Sequence, residues 1–236
     1  MNETAVIVGA GPGLGSALAR RLARAGMTVA VARRDPDPLA PLVKELSGRA
    51  HAYACDATNE AAVTQLFAGV KTELGNPSLV IFNASAFVRK GVLDTGAEEF
   101  ERCWRVGCLG GFLVGREAAR AMLARNAEHR GTIIFTGATA SLRGSALFHN
   151  LAVGKFGLRA FAQSMAREFQ PQGIHVAHVV IDGQIRGERP GHRAAERGKD
   201  AVIDPAAIAE TYFQLHLQPR SAWSFELDLR PYAEKF

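Results

Sequence analysis

Cysteine is scarce in this chain, and the three that occur exclude two chemistries. Cys55, Cys103 and Cys108 are an odd set with neither a CxxC pair nor a Cys/His spacing, so no disulfide framework and no zinc site is expected. They read as small core hydrophobes. Long apolar runs are missing as well: no stretch of about 18 uncharged apolar residues occurs, so no membrane-spanning helix is expected. The start, MNETAVIVGAGPG, has an acidic residue where a secretory leader would be basic, which predicts a cytoplasmic protein. Charge of one sign is not concentrated enough for a nucleic-acid binder. The net charge of +5 comes mostly from scattered arginines, with one local cluster from Arg186 to Lys199, and basic residues do not interleave with aromatics. An anionic small ligand is the economical reading of the excess, a solvated arginine-rich surface the alternative.

What is present suits one α/β domain: 236 residues, 47% hydrophobic and 22% charged, with no internal repeat and no low-complexity linker. Strand-like apolar runs lie at Ala5–Val8, Thr28–Ala32, Ala50–Cys55, Leu79–Phe82, Thr132–Thr136 and Ile174–Ile181, with helix-periodic segments between them. That alternation predicts βαβ units and a parallel sheet. Leu14, Leu18, Leu22 and Ala25 form one stripe of the first helix, ended by Gly26. Asn59 and Asp204-Pro205 each open a later helix, and residues 97–125 must hold one that is bent or loosened near Gly107, Gly110 and Gly111. Between Gln184 and Ile203 periodicity stops, which predicts a lid-like loop at about 184–203 on the carboxyl side of the sixth strand.

The turn after the first strand carries the first chemistry. Gly9, Gly13 and Gly15 fit GxxxGxG, with Gly9 turning the strand, Gly13 letting amides approach a pyrophosphate and Gly15 letting helix and strand pack closely. At a strand-to-helix junction a nucleotide phosphate site is favoured over a mere tight turn. The second strand ends in Arg33 and Arg34, which suit a 2′-phosphate, where an acidic side chain would choose the ribose hydroxyl of NAD. NADP(H) is therefore favoured over NAD(H), although Asp35 stands beside them.

With "CDAT" at Cys55–Thr58, "FNAS" at Phe82–Ser85, "LAVGK" ending at Lys155 and "IDG" at Ile181–Gly183, the chain resembles the short-chain dehydrogenase/reductase family over nearly its whole length. The resemblance implies a Rossmann-type doubly wound parallel sheet of about seven strands in a single domain spanning 1–236, with helices on both faces. It implies a cofactor site of Gly9, Gly11, Pro12, Gly13, Leu14 and Gly15 at the turn, and Arg33, Arg34, Asp56, Ala57 and Asn83 toward the adenosine. Ala84, Ser85, Asp182, Gly183 and Ile185 would complete it, and Lys155 would hold the nicotinamide ribose hydroxyls.

The family's catalytic set is where the sequence departs. Leu151 stands in place of the tyrosine, Ala138 in place of the serine and Gly107 in place of the asparagine; Lys155 alone remains. Hydride delivery to a ketone develops alkoxide charge, and a leucine supplies no acid for it. His149 is the candidate substitute, against the reading of an exposed or capping histidine; Thr136, Thr139 and Ser141 supply hydroxyls near the vacant serine position, and Tyr212 could reach the pocket from a late helix. The substrate pocket is then Ala138, Thr139, Ser141 and Leu151. The leading expectation is an NADP(H)-dependent oxidoreductase acting on a small carbonyl or alcohol with an unconventional proton donor; a cofactor-binding protein without redox catalysis, or a non-redox catalyst, is the alternative. The resemblance also implies a homodimer or homotetramer paired through 97–125 and 150–170, for which Leu113, Met122, Phe156, Phe161 and Met165 offer apolar residues on more faces than one sheet needs; SAWSFELDLRPYAEKF is expected to add a second contact. No metal is expected.

Overall fold

The computed structural model describes residues 3–187 and 201–234. The six apolar runs form strands within one residue of the expected limits: β1 (Thr4–Val8), β2 (Thr28–Arg33), β3 (Ala50–Ala54), β4 (Leu79–Phe82), β5 (Gly131–Thr136) and β6 (Ile174–Ile181). Every residue of β1, β4, β5 and β6 is buried, because a parallel sheet is covered on both faces and its central strands must be apolar on both. A seventh strand, β7 (Glu226–Leu229), pairs with β6. The C-terminal stretch expected to add a second oligomer contact thus supplies the edge of the sheet: ELDL alternates, with Leu227 and Leu229 packed against the core and Glu226 turned to the other face.

The strand order is β3-β2-β1-β4-β5-β6-β7, and all pairs are parallel. The winding reverses between β1 and β4, so a crevice opens above their carboxyl ends, where Val8 lies level with both Ala32 and Phe82.

Alternate strand residues feed two cores. On one face Ala5, Ile7, Val29 and Val31 pack against α1 (Leu14–Arg24), α2 (Ala40–Glu45) and α7 (Pro205–His216); on the other, Val6, Val8, Ala30 and Ala32 meet α3 (Glu60–Leu74), α5 (Gly110–Leu123) and α6 (His149–Phe169). Asn59 caps α3 by accepting from the Ala62 amide at 3.0 Å, and Asp204 caps α7 by accepting from Ala206 at 2.9 Å.

The loosening expected in 97–125 is a π-helical turn, Arg105–Leu109, between α4 (Ala97–Trp104) and α5. Its glycines serve close approach. A Cβ on Gly107 would lie 3.4 Å from the Gly154 Cα of α6, and one on Gly110 3.2 Å from the Ala57 carbonyl oxygen. Of the side chains offered in support of pairing, Leu113, Met122 and Met165 are buried in the core, and Phe161 packs on Phe135. The apolar side chains left exposed on these helices are Trp104, Phe112, Val153 and Phe156.

The three cysteines are free, Cys55 and Cys103 buried and Cys108 half-buried. Among the described residues no helix is long and apolar enough to cross a membrane, and no group of three or more His, Cys, Asp or Glu could hold a metal ion. Residues 188–200 of the expected lid lie outside the described residues; its two ends are pinned together, the Ile203 amide donating to Gln184 at 2.9 Å and the Arg186 amide to Ile203 at 2.8 Å.

Candidate active site and cofactor cleft

The crevice above the β1/β4 switch is a cleft of about 1130 Å³. Its phosphate turn contains two kinds of glycine. A Cβ on Gly9 would stand 2.6 Å from the Ala84 Cα, and one on Gly15 2.7 Å from the Ala10 Cα, so these two are glycine because the chain packs on itself. At Gly11 and Gly13 an added Cβ meets no atom within 4 Å. These two leave room for something that is not protein. Gly13 is also the N-cap of α1 and brings no side chain to satisfy the helix's first amides, and α1 has no acidic residue in its first turn. Open space, unclaimed amides and a positive helix end together fit a pyrophosphate.

At the end expected to take the adenosine, Arg33 and Arg34 line the cleft where β2 stops, and neither guanidinium has a hydrogen bond or ion pair among the described residues. Asp35, which clouded the cofactor choice, accepts from the Asp37 amide at 3.1 Å. Asp56 is folded into its own turn, accepting from the Thr58 amide at 2.9 Å and the Thr58 hydroxyl at 2.8 Å. Asn83 donates to the Gly9 carbonyl at 3.1 Å and so ties the end of β4 to the glycine turn.

At the other end Lys155 reaches the cleft from α6. It is 3% exposed, its Nζ donates to the Thr136 carbonyl at 2.6 Å, and burial pushes its ammonium down to about 8. Leu151, one turn earlier on α6, and Ala138, just beyond β5, form apolar wall beside it. Below this floor lies a group that the sequence did not announce. His178 is fully buried, its Nδ1 2.9 Å from a Glu226 carboxylate that also takes two 2.7 Å bonds from Arg159. A Cβ on Gly137 would lie 2.6 Å from the His178 ring carbon Cε1, so glycine at the β5 exit makes room for this imidazole. Burial holds the His178 ring below the usual histidine range.

A sequence model described as short chain dehydrogenase matches residues 3–186. The chain belongs to the short-chain dehydrogenase family. A short-chain dehydrogenase/reductase of Armillaria gallica is 35% identical over 225 residues, covering 88% of this chain and 85% of that protein. A crystal structure of a short-chain dehydrogenase from Rhodopseudomonas palustris is 43% identical with a TM-score of 0.82, covering 98% of this chain and 100% of that one. A metagenomic short-chain oxidoreductase solved in complex with NADP is 27% identical with a TM-score of 0.83, covering 98% of each chain.

For this short-chain dehydrogenase the structure gathers most of the expected cofactor residues on one surface: the turn from Gly9 to Gly15, the arginine pair, Asp56, Ala57, Asn83, Ala84, Ser85, Lys155, Gly183 and Ile185 all line the cleft. Others are placed elsewhere. Asp182 does not line it; its carboxylate is held by the Thr139 hydroxyl and by Arg230 at 3.3 Å. The Ser141 hydroxyl is fully buried and accepts from the Ala138 amide at 3.1 Å. His149 is absent from the cleft lining: its ring stacks on Phe100 at 6.2 Å and both nitrogens are buried without a partner. Two residues along a helix is about 200° of rotation, which turns His149 away from the side on which Leu151 faces the cleft. Tyr212 is fully buried and donates to the Thr136 hydroxyl at 3.0 Å from beneath the sheet, so it does not enter the pocket either. Sequence reasoning missed Arg102 and Val106, which line the cleft from α4 and the π turn.

Proposed function

We propose that this short-chain dehydrogenase is an NADP(H)-dependent oxidoreductase interconverting a small carbonyl and its alcohol, with Lys155 as the proton donor. The observation that carries the reading is the position of Lys155, an ammonium near neutrality in its acidity at the catalytic end of a cleft whose other end leaves a pyrophosphate-sized space at Gly11 and Gly13. A bound NADPH would supply the hydride to the carbonyl carbon. The chain's own part is to orient the ribose through Lys155, to keep water off the reacting face with Leu151 and Ala138, and to pass a proton from Nζ to the carbonyl oxygen. Lys155 then recovers its proton from solvent. The rival reading, a cofactor-binding protein without turnover, is favoured by one observation: Leu151 and Ala138 bring no polar side-chain atom to the catalytic end.

Two measurements separate them. NADPH fluorescence titration followed by absorbance loss with a panel of carbonyls is expected to show both binding and turnover; binding without turnover establishes the rival. In the same titration Arg34→Glu is expected to weaken NADPH by about tenfold or more while leaving NADH within about threefold, since only the 2′-phosphate meets the guanidinium. Equal affinity of the parent for NADH and NADPH would remove the NADP assignment.

The exposed Trp104, Phe112, Val153 and Phe156 place apolar surface on α4, α5 and α6, and the proposed assembly is a homodimer or homotetramer through these helices. Light scattering at micromolar concentration is expected to give a multiple of the 25.3 kDa chain mass; a monomer contradicts the assembly.

A further inference from the structure

Among the described residues four arginines line the cleft, and three are accounted for. Arg33 and Arg34 stand at the adenosine end, and Arg186 is ion-paired with Asp204. Arg102 remains. Its guanidinium has no hydrogen bond or ion pair with any described residue, although α4 carries Glu98, Glu99 and Glu101; Glu99 is taken by Lys90 at 3.0 Å and Glu101 faces Arg105 at 3.6 Å.

The packing of α4 on α6 fixes where along the cleft this guanidinium sits. Phe100 stacks on His149, and a Cβ on Gly154 would lie 3.4 Å from the Cys103 carbonyl oxygen and 3.5 Å from the Gly107 Cα. Position 102 is therefore level with the turn of α6 that holds Leu151, and Arg102 and Leu151 face the same space. The carboxylates that the described residues bring to the cleft lining, Asp35 and Asp56, are both at the adenosine end. Among the described residues the catalytic end thus has two cations, Lys155 and Arg102, set among Leu151, Ala138 and Val106, and no carboxylate to balance them.

We infer that Arg102 anchors an anionic group of the substrate: the carbonyl or alcohol that enters this cleft bears a carboxylate, phosphate or sulfonate, held by the guanidinium while its apolar portion lies on Leu151 and Val106. This rests on the oxidoreductase reading and names its substrate class. A planar guanidinium binds such an oxyanion through paired N–H donors, and the unmatched positive field of the catalytic end draws the anion in before contact. A cofactor phosphate is the other source of an oxyanion, and the test separates the two.

Calorimetry is run on the protein saturated with NADP+, so that no turnover is needed, with two matched pairs as probes: 4-oxopentanoate against 2-pentanone, and dihydroxyacetone phosphate against dihydroxyacetone. In the parent at least one charged member is expected to bind about tenfold or more tighter than its neutral counterpart. Arg102→Gln should shrink that preference to under about threefold, Arg102→Lys should restore part of it, and the NADP+ affinity should stay within about twofold in both. Absence of any preference in the parent, or a preference untouched in Arg102→Gln, overturns the inference. So does a large loss of NADP+ affinity with the preference intact, which assigns Arg102 to the cofactor. The titrations are repeated without NADP+. Failure of NADP+ to bind would end the cofactor reading, while a charge preference that still disappears in Arg102→Gln would keep the anion site.

Discussion

Gly9→Ala is expected to lower the melting temperature by about 10 °C or more, a loss of roughly 3–4 kcal/mol. Two effects add. Gly9 holds φ +90°, a left-handed conformation that strains an L side chain. Its Cβ would also stand 2.6 Å from the Ala84 Cα and 2.7 Å from the Asn83 carbonyl carbon, and both are backbone that cannot rotate away. Gly13→Ala is the contrast, because its Cβ meets no atom within 4 Å and its φ is −90°. That variant should melt near the parent and lose NADPH affinity, since the methyl occupies ligand space. Thermal melts and NADPH titration of the pair check both halves; a Gly9→Ala protein melting within about 2 °C of the parent would show that the turn can open.

Lys155→Met is expected to weaken NADP(H) binding by about 1.5–3 kcal/mol, the range for a lost charged hydrogen bond, while Leu151→Ala leaves cofactor affinity nearly unchanged. The folded protein holds the Lys155 ammonium near 8 against an ordinary 10.5. Between those values the unfolded chain binds more protons than the folded one, so this group makes stability rise with pH over that window. Below pH 8 the charged lysine is a burden on the fold, on the order of 3 kcal/mol. Lys155→Met should therefore fold well at pH 7 and lack the stability gain that the parent shows toward pH 10. Parent NADPH affinity should decline as pH rises through about 8, and the variant's should not. Equal NADPH affinity of parent and Lys155→Met at pH 7 would show that the lysine is not the ribose ligand.

The centre of the sheet was legible because β1, β4, β5 and β6 are buried on both faces and read as near-continuous apolar runs. β7 was not legible: a four-residue edge strand with alternating Glu and Asp looks like surface until His178 and Arg159 are found facing Glu226. The glycine turn could be read locally, since its constraints act within a few residues. Arg102 could not, because an arginine on a helix looks the same in sequence whether it faces water or a cleft, and only the packing of α4 on α6 distinguishes the two. His149 misled for the converse reason. It is near Leu151 along the chain, but the helix rotates it into a contact with Phe100.

The last strand also bears on the order in which the protein becomes competent during synthesis. The phosphate turn, the arginine pair and the Asn83 tie all come from the first 83 residues, so the adenosine end can form early on the ribosome. The other end waits. Glu226 holds the imidazole under Gly137, and Arg230 holds the Asp182 carboxylate that grips Thr139, so the floor beside Lys155 is completed only when Glu226 and Arg230 have emerged. A nascent chain stalled before Glu226 would carry the described cleft lining without the groups that support it from beneath, on an unfinished sheet edge.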